Sequence, residues 1–216
     1  MMFERINTGS DELNNMEKRK GITRGLFTEF IYKECAKNPL FRDLTKFTEK
    51  VENRGEAEEL ILRYFAYLEN YNLLIDRKQS PLFNKGTSQA ENYAKLIDSP
   101  SDFLDAYIED KNKKFDIQDN ESLTNMFLQM LQFVKMYFPN GFLKFKGSNK
   151  TPRVRFEALS VGVSLALLEN PDLTISNVDW LESPEFLSEI TGSWTGTPKK
   201  IKSRIEFVKN KLLNTQ

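Results

Sequence analysis

The sequence predicts an all-α fold, and two observations carry the prediction. Apolar residues recur at three- and four-residue steps over long stretches, and several segments open with the residues that start helices. A third observation sets the scale. At 216 residues, 39% of them hydrophobic, with 17 Phe and 7 Tyr, the chain can bury roughly 70% of its unfolded surface. The expected architecture is a single domain over residues 1–216, with about eight helices behind a short strand-like lead-in.

In chain order, Thr8, Gly9 and Ser10 form a turn, and Ser10 or Asp11 caps a helix at 13–24 whose inner face begins at Leu13 and Met16. A helix at 26–37 follows around Phe30, Ile31 and Tyr32. The clearest stripe lies at 56–74, where Ala57, Leu60, Ile61, Tyr64, Phe65, Leu68 and Tyr71 share one face. Residues 75–98 mix charge, Pro and Gly without a long apolar stripe, which reads as a connector with 89–98 helical. Ser99, Pro100 and Asp102 supply an N-cap, a proline at the first helical position and a first-turn acid for a helix at 101–111. The segment 120–138 is apolar on most sides, which places it centrally, and it stops at Pro139, Asn140 and Gly141. Further helices are expected at 153–169, 184–190 and 198–213, the last two opened by Ser183-Pro184 and Thr197-Pro198; Asn38-Pro39 carries the same start signal. Glu56, Glu58, Glu59, Asp116 and Asp119 sit where helices begin, and the helix dipole favours acids there, so they read as caps.

Composition excludes several kinds of chemistry. There is no histidine, so Ser-His-Asp triads, imidazole relays and most zinc sites are out, and with Cys35 as the lone cysteine a thiolate zinc site is out too. No metal site is expected. Cys35 in apolar company reads as a buried thiol, and its solitude fits a reducing, cytoplasmic setting. Lys plus Arg balance Asp plus Glu at 31 each, so an electrostatic partner must be met by a local patch. The longest apolar run, at 159–168, is half of what a bilayer requires, so no membrane partner is expected. The glycines of GSWTGTPKK at 192–200 have the wrong spacing for a phosphate loop, and Thr197-Pro198 intervenes before Lys199. Two stretches are basic: KFKGSNKTPRVRF at 144–156, which lacks acids, and KKIKSR at 199–204. They read either as phosphate contacts with aromatic stacking or as a solvated loop and an ordinary helix face.

The opening FERINTGSDELNNMEKR closely resembles a motif of the GmrSD-type restriction endonuclease N-terminal domain family, also called domain of unknown function family 262, a relative of the ParB-like nucleases. Phe3, Arg5, Ile6, Asn7, Thr8, Gly9, Leu13, Glu17 and Arg19 fit it, with Ser10 in place of a second glycine and Lys20-Gly21 where Asn-Ala is common. Weaker matches at 37–41, 62–66, 103–112, 155–159 and 204–208 extend the resemblance over essentially the whole chain. The family's upstream DGQQR element is expected to handle nucleotide, and this sequence has no Asp-Gly pair. The resemblance therefore implies a helical portion, with residues 1–12 a remnant of the ParB-like core motif, from a truncated or split protein.

What the resemblance implies for function follows from that. Nucleoside triphosphate and Mg belong to the intact family, and this portion is not expected to bind them. In the motif, Arg5 would pair with phosphate and Asn7 would orient phosphate or metal-bound water, or both would tie the lead-in to the first helix. The late segments suggest that the 144–156 loop and the 198–213 helix lie side by side. Lys144, Lys146, Lys150, Arg153, Lys199, Lys200 and Lys202 would then form one cationic surface for DNA, with Arg155 and Arg204 pointing inward. The expected function is the helical part of a modification-dependent restriction or DNA-defence protein, catalytically incomplete alone, that supports a DGQQR-containing half and contacts DNA or a partner. The alternative is a stand-alone helical interaction module without nuclease function.

Overall fold

The computed structural model describes residues 13–75, 98–192 and 195–214, and every regular element among them is helical. The all-α fold read from the sequence is therefore the fold observed. The lead-in at 1–12 and the helix expected at 89–98 lie outside the described residues, apart from Asp98, which sits in a turn.

Helix α1, Asn15–Ile22, starts later than a cap at Ser10 or Asp11 would give. Asn14 caps it: its Oδ1 accepts from the Glu17 N–H at 2.8 Å, and Glu17 Oε2 accepts from the Asn14 N–H at 2.7 Å. Leu13 consequently lies outside the helix and is 52% exposed, whereas Met16 turns inward. Helix α2, Leu26–Glu29, runs into a π-helical turn, Phe30–Cys35. In a straight helix Glu34, seven residues after Phe27, would face the core. The extra residue in the turn rotates Glu34 to the surface and brings Cys35 inward.

Two short helices were not among the eight expected: α3, Pro39–Leu44, and α4, Glu49–Glu52. The first was signalled, since the Asn38 side chain accepts from the N–H groups of Leu40 and Phe41. The stripe at 56–74 is broken into α5, Glu56–Glu69, and α6, Tyr71–Ile75. Asn70 makes the break by turning its buried amide back to the Ala66 carbonyl, at 2.9 Å, a bond that competes with helix propagation.

Helices α7, Pro100–Lys114, and α8, Ile117–Tyr137, follow; a reciprocal Asp116–Asp119 capping box opens the second, and Ser99 makes no side-chain cap to the first. Helix α9 is Arg153–Glu169. A 3-10 turn at Asp179–Glu182 precedes α10, Pro184–Ile190, capped by Ser183 Oγ accepting from the Phe186 N–H at 3.2 Å. Helix α11 is Pro198–Asn214.

The central element is α9, in place of the 120–138 helix that its apolar sequence favoured. Residues 155–164 of α9 are all buried, whereas α8 leaves Met136 73% exposed. Helix α9 packs most closely on α11: a Cβ on Gly162 would lie 2.6 Å from Val208 Cβ. Glu157 meets Arg204, Gly162 meets Ile205 and Val208, and Glu169 meets Lys209, so the numbering rises together and the two helices run in the same direction. Helix α5 packs on α9 from another side, and its Phe65 joins an aromatic cluster with Tyr64, Phe30 and Phe127 at centroid distances of 4.8, 5.6 and 6.0 Å.

Candidate nucleic-acid interface

The loop after α8 is built to protrude. Gly141 turns the chain at φ 54°, a conformation that favours glycine, and a Cβ there would sit 2.9 Å from the Leu44 carbonyl oxygen. The Phe142 N–H then donates to that carbonyl at 3.1 Å, and the Phe142 ring is buried 4.6 Å from the Phe156 ring. At the far end the Thr151 N–H donates to the Lys46 carbonyl and Thr151 Oγ1 accepts from the Lys46 N–H, both at 2.9 Å. Residues 143–150 are thus held at both ends against the segment 44–46.

Between those anchors stand Lys144, Lys146 and Lys150, all exposed and without an ion pair among the described residues. A second turn shapes the tip. The Ser148 N–H donates to the Phe145 carbonyl at 3.1 Å, Ser148 Oγ accepts from the Phe145 N–H at 3.3 Å, and Gly147 adopts φ 88°. Phe145 is left 59% exposed between Lys144 and Lys146. No Asp or Glu occurs anywhere in residues 122–156. The nearest carboxylate named by contact is Asp43, which accepts from Lys135 Nζ at 2.6 Å, and that hydrogen bond holds its carboxyl below the usual range.

Arg153 departs from the expected surface. Its guanidinium grips Glu56 in a two-pronged pair, at 3.0 and 2.7 Å, so it belongs to the junction of α9 with α5. Lys199 and Lys200 are exposed on the first turn of α11, while Lys202 is half-buried with its Nζ 3.6 Å from Glu206. Because α9 and α11 run in the same direction with Glu157 beside Arg204, both helices begin at one end of the molecule. Lys150 precedes one start and Lys199 and Lys200 lie on the other. The contacts that fix the 143–150 loop run to residues 44–46, which makes Lys46, itself exposed, a neighbour that sequence separation concealed. Arg5 and Asn7 lie outside the described residues.

The buried arginines point inward as expected, each 1% exposed. Arg204 donates to the Thr195 carbonyl at 2.6 Å and pairs with Glu157. Glu157 also accepts from Arg63 at 2.9 Å, Arg63 pairs with Glu59 at 2.8 Å, and Glu59 pairs with Arg19 at 2.5 Å. Arg19 reaches on to Asp105 at 2.5 Å. This alternating seam ties α1, α5, α7, α9 and α11 together. It also corrects the reading of Glu56 and Glu59 as caps, since both are spent on arginines. Burial pushes the Glu157 carboxyl up, but the Arg204 and Arg63 guanidiniums outweigh it and hold the group below the ordinary carboxylate range. Arg155 lies 5.4 Å from the Phe186 ring and donates to the Leu181 carbonyl at 3.3 Å, and burial lowers its proton affinity.

Among the described residues no group of three or more Cys, Asp or Glu side chains could hold a metal ion, and no helix is long and apolar enough to cross a membrane. Burial raises the Cys35 thiol well above its ordinary range, so a thiolate nucleophile is not available there. No protein-family model, curated protein or solved structure matches the chain.

Proposed function

We propose that the chain is the helical portion of a cytoplasmic, GmrSD-type DNA-defence protein, catalytically incomplete by itself, that contacts DNA through its cationic end and supports a nucleotide-handling half. The observation that carries the DNA contact is the anchored 143–150 loop. It presents three lysines without carboxylate partners among the described residues on an otherwise charge-balanced protein. Lys199 and Lys200 extend that surface, and Lys202 stands at its edge. Support for the family reading comes from Glu17 and Arg19 of the opening motif. Glu17 closes the α1 capping box and Arg19 joins the buried seam, so two residues of the motif hold α1 against the body.

The test is nucleotide hydrolysis with and without a DGQQR-containing half from the same locus, alongside retention of duplex DNA at about 50 mM salt. The chain alone should hydrolyse nothing, the mixture should turn over, and Arg5→Ala should abolish that turnover. Retention should weaken with salt at a log–log slope of about −0.9 per phosphate contact. Hydrolysis by the chain alone would overturn the catalytically incomplete reading in favour of an autonomous enzyme, and no retention of DNA at low salt would overturn the DNA contact in favour of a helical interaction module.

A further inference from the structure

The exposed ring of Phe145 is not explained by phosphate contact. A duplex offers a protruding loop its phosphates but keeps its base faces stacked inside, whereas an unpaired strand offers both. An isolated exposed Phe is common on protein surfaces. Here, however, the ring is held on a turn closed by two hydrogen bonds through Ser148, with a lysine on either side that has no ion pair among the described residues. The loop that carries it is tied down at Phe142 and at Thr151. Ordering such a ring in advance removes part of the entropic cost of stacking on it.

Lys146, next in sequence to the ring, lines a cleft of about 350 Å³ together with Asn140, Leu143, Tyr137, Met136 and the Asp43–Lys135 pair. Met136 is the other large apolar side chain left exposed in this region. The cleft therefore combines the Lys146 ammonium group, a carboxylate already paired to Lys135, an amide able to donate and accept, and apolar wall, and Phe145 is one residue from Lys146 in sequence. Neutral and cationic groups dominate the loop: its nearest carboxylate, Asp43, is already matched by Lys135.

We propose that the 143–150 loop binds unpaired DNA, with one base stacked on Phe145, a neighbouring nucleotide over the cleft at Asn140, and Lys46, Lys144, Lys146 and Lys150 on the flanking phosphates. The inference rests on the DNA-contact reading above and narrows it to strands whose bases are exposed. A sequence-tolerant surface of this kind is what an aromatic platform between cations provides, since every base has a face to stack.

The experiment is fluorescence anisotropy at about 50 mM salt with a labelled thymidine oligonucleotide, the matching duplex, and an abasic strand of the same length. Wild-type protein should prefer the thymidine strand to the duplex. Phe145→Ala should weaken that binding about tenfold, the scale of one lost stacking contact. It should leave duplex binding, abasic-strand binding and the melting temperature unchanged. Phe145→Trp should restore binding and show indole quenching when the strand is added. Equal loss on the thymidine and abasic strands, or no loss on either, would overturn stacking while leaving the cationic DNA surface intact. Failure of the wild-type protein to retain any of the three would overturn both.

Discussion

Arg63 and Lys146 are both cations, and the molecule treats them in opposite ways. Arg63 lies in the alternating seam from Arg19 to Arg204, where each guanidinium meets a carboxylate and the charges cancel along the chain of contacts. Lys146 stands on the anchored loop with no carboxylate partner among the described residues. The division follows side-chain chemistry: a planar guanidinium can hold two carboxylates at once and is weakly hydrated, while an ammonium group keeps its water until a ligand displaces it. Charge inside this protein orders helices. Charge on the 143–150 loop remains open to a partner.

Breaking the seam should have the largest effect. Glu157→Ala leaves Arg63 and Arg204 facing each other without their shared carboxylate and should cost about 3–5 kcal/mol in denaturant unfolding. A cost below about 1 kcal/mol would show that water replaces the carboxylate and that the seam does not bind the helices together. Phe65→Ala is the uncharged counterpart in the same core, with an expected cavity cost of about 3–5 kcal/mol. If it proves much cheaper than Glu157→Ala, the seam outranks the aromatic cluster. Gly162→Ala should cost about 1–3 kcal/mol, because the new methyl meets Val208 at the α9–α11 contact and one helix must shift.

Acid sharpens the comparison. Glu157 in the fold holds its proton more weakly than in the unfolded chain, so its contribution is fully present above the unfolded value of about 4.3 and is lost as the pH falls through the lower folded value. That single group can account for no more than about 1.4 kcal/mol per pH unit. Glu157→Gln should flatten the stability profile in that window; an unchanged profile would assign the acid sensitivity elsewhere. The smallest effect on stability belongs to the loop. Replacing Lys146, Lys150 and Lys200 by Glu should leave the melting temperature nearly unchanged, since exposed charges contribute little, and should abolish DNA retention. A large drop in melting temperature would mean that these lysines serve the fold.

What could be read from the sequence was local. The helix starts at Pro100, Pro184 and Pro198, the Asp116–Asp119 box and the stripe through Leu60, Tyr64 and Phe65 each depend on residues a few positions apart. Errors arose where a distant partner decided the outcome. Glu59 resembles a first-turn acid until Arg19 is placed beside it, and Arg153 resembles its lysine neighbours until Glu56 claims it. Lys46 could not be joined to the basic loop because a backbone pairing with Thr151 leaves no trace in residue type. The inward turn of Arg155 and Arg204 is legible from the sequence, whereas Glu157, between them in sequence and paired to Arg204, carries no local signal of its burial.

The shared direction of α9 and α11 sets a requirement on how the chain assembles. Two antiparallel helices can close through a short hairpin, but here the chain must travel back along a helix of about 25 Å before α11 can dock. The described part of that connection, 170–192, includes the 3-10 turn and α10, and its Trp180 and Phe186 pack on Phe207 of α11 at 6.1 and 5.7 Å. Glu157 and Arg204 therefore meet only after a large loop has closed, which raises the contact order relative to a hairpin-linked bundle. Emerging from a ribosome, the protein would hold α9, its most apolar helix, without its closest cover until the last residues of α11 arrived. During synthesis that flank of α9, with Gly162 at its middle, stays uncovered until α11 docks on it.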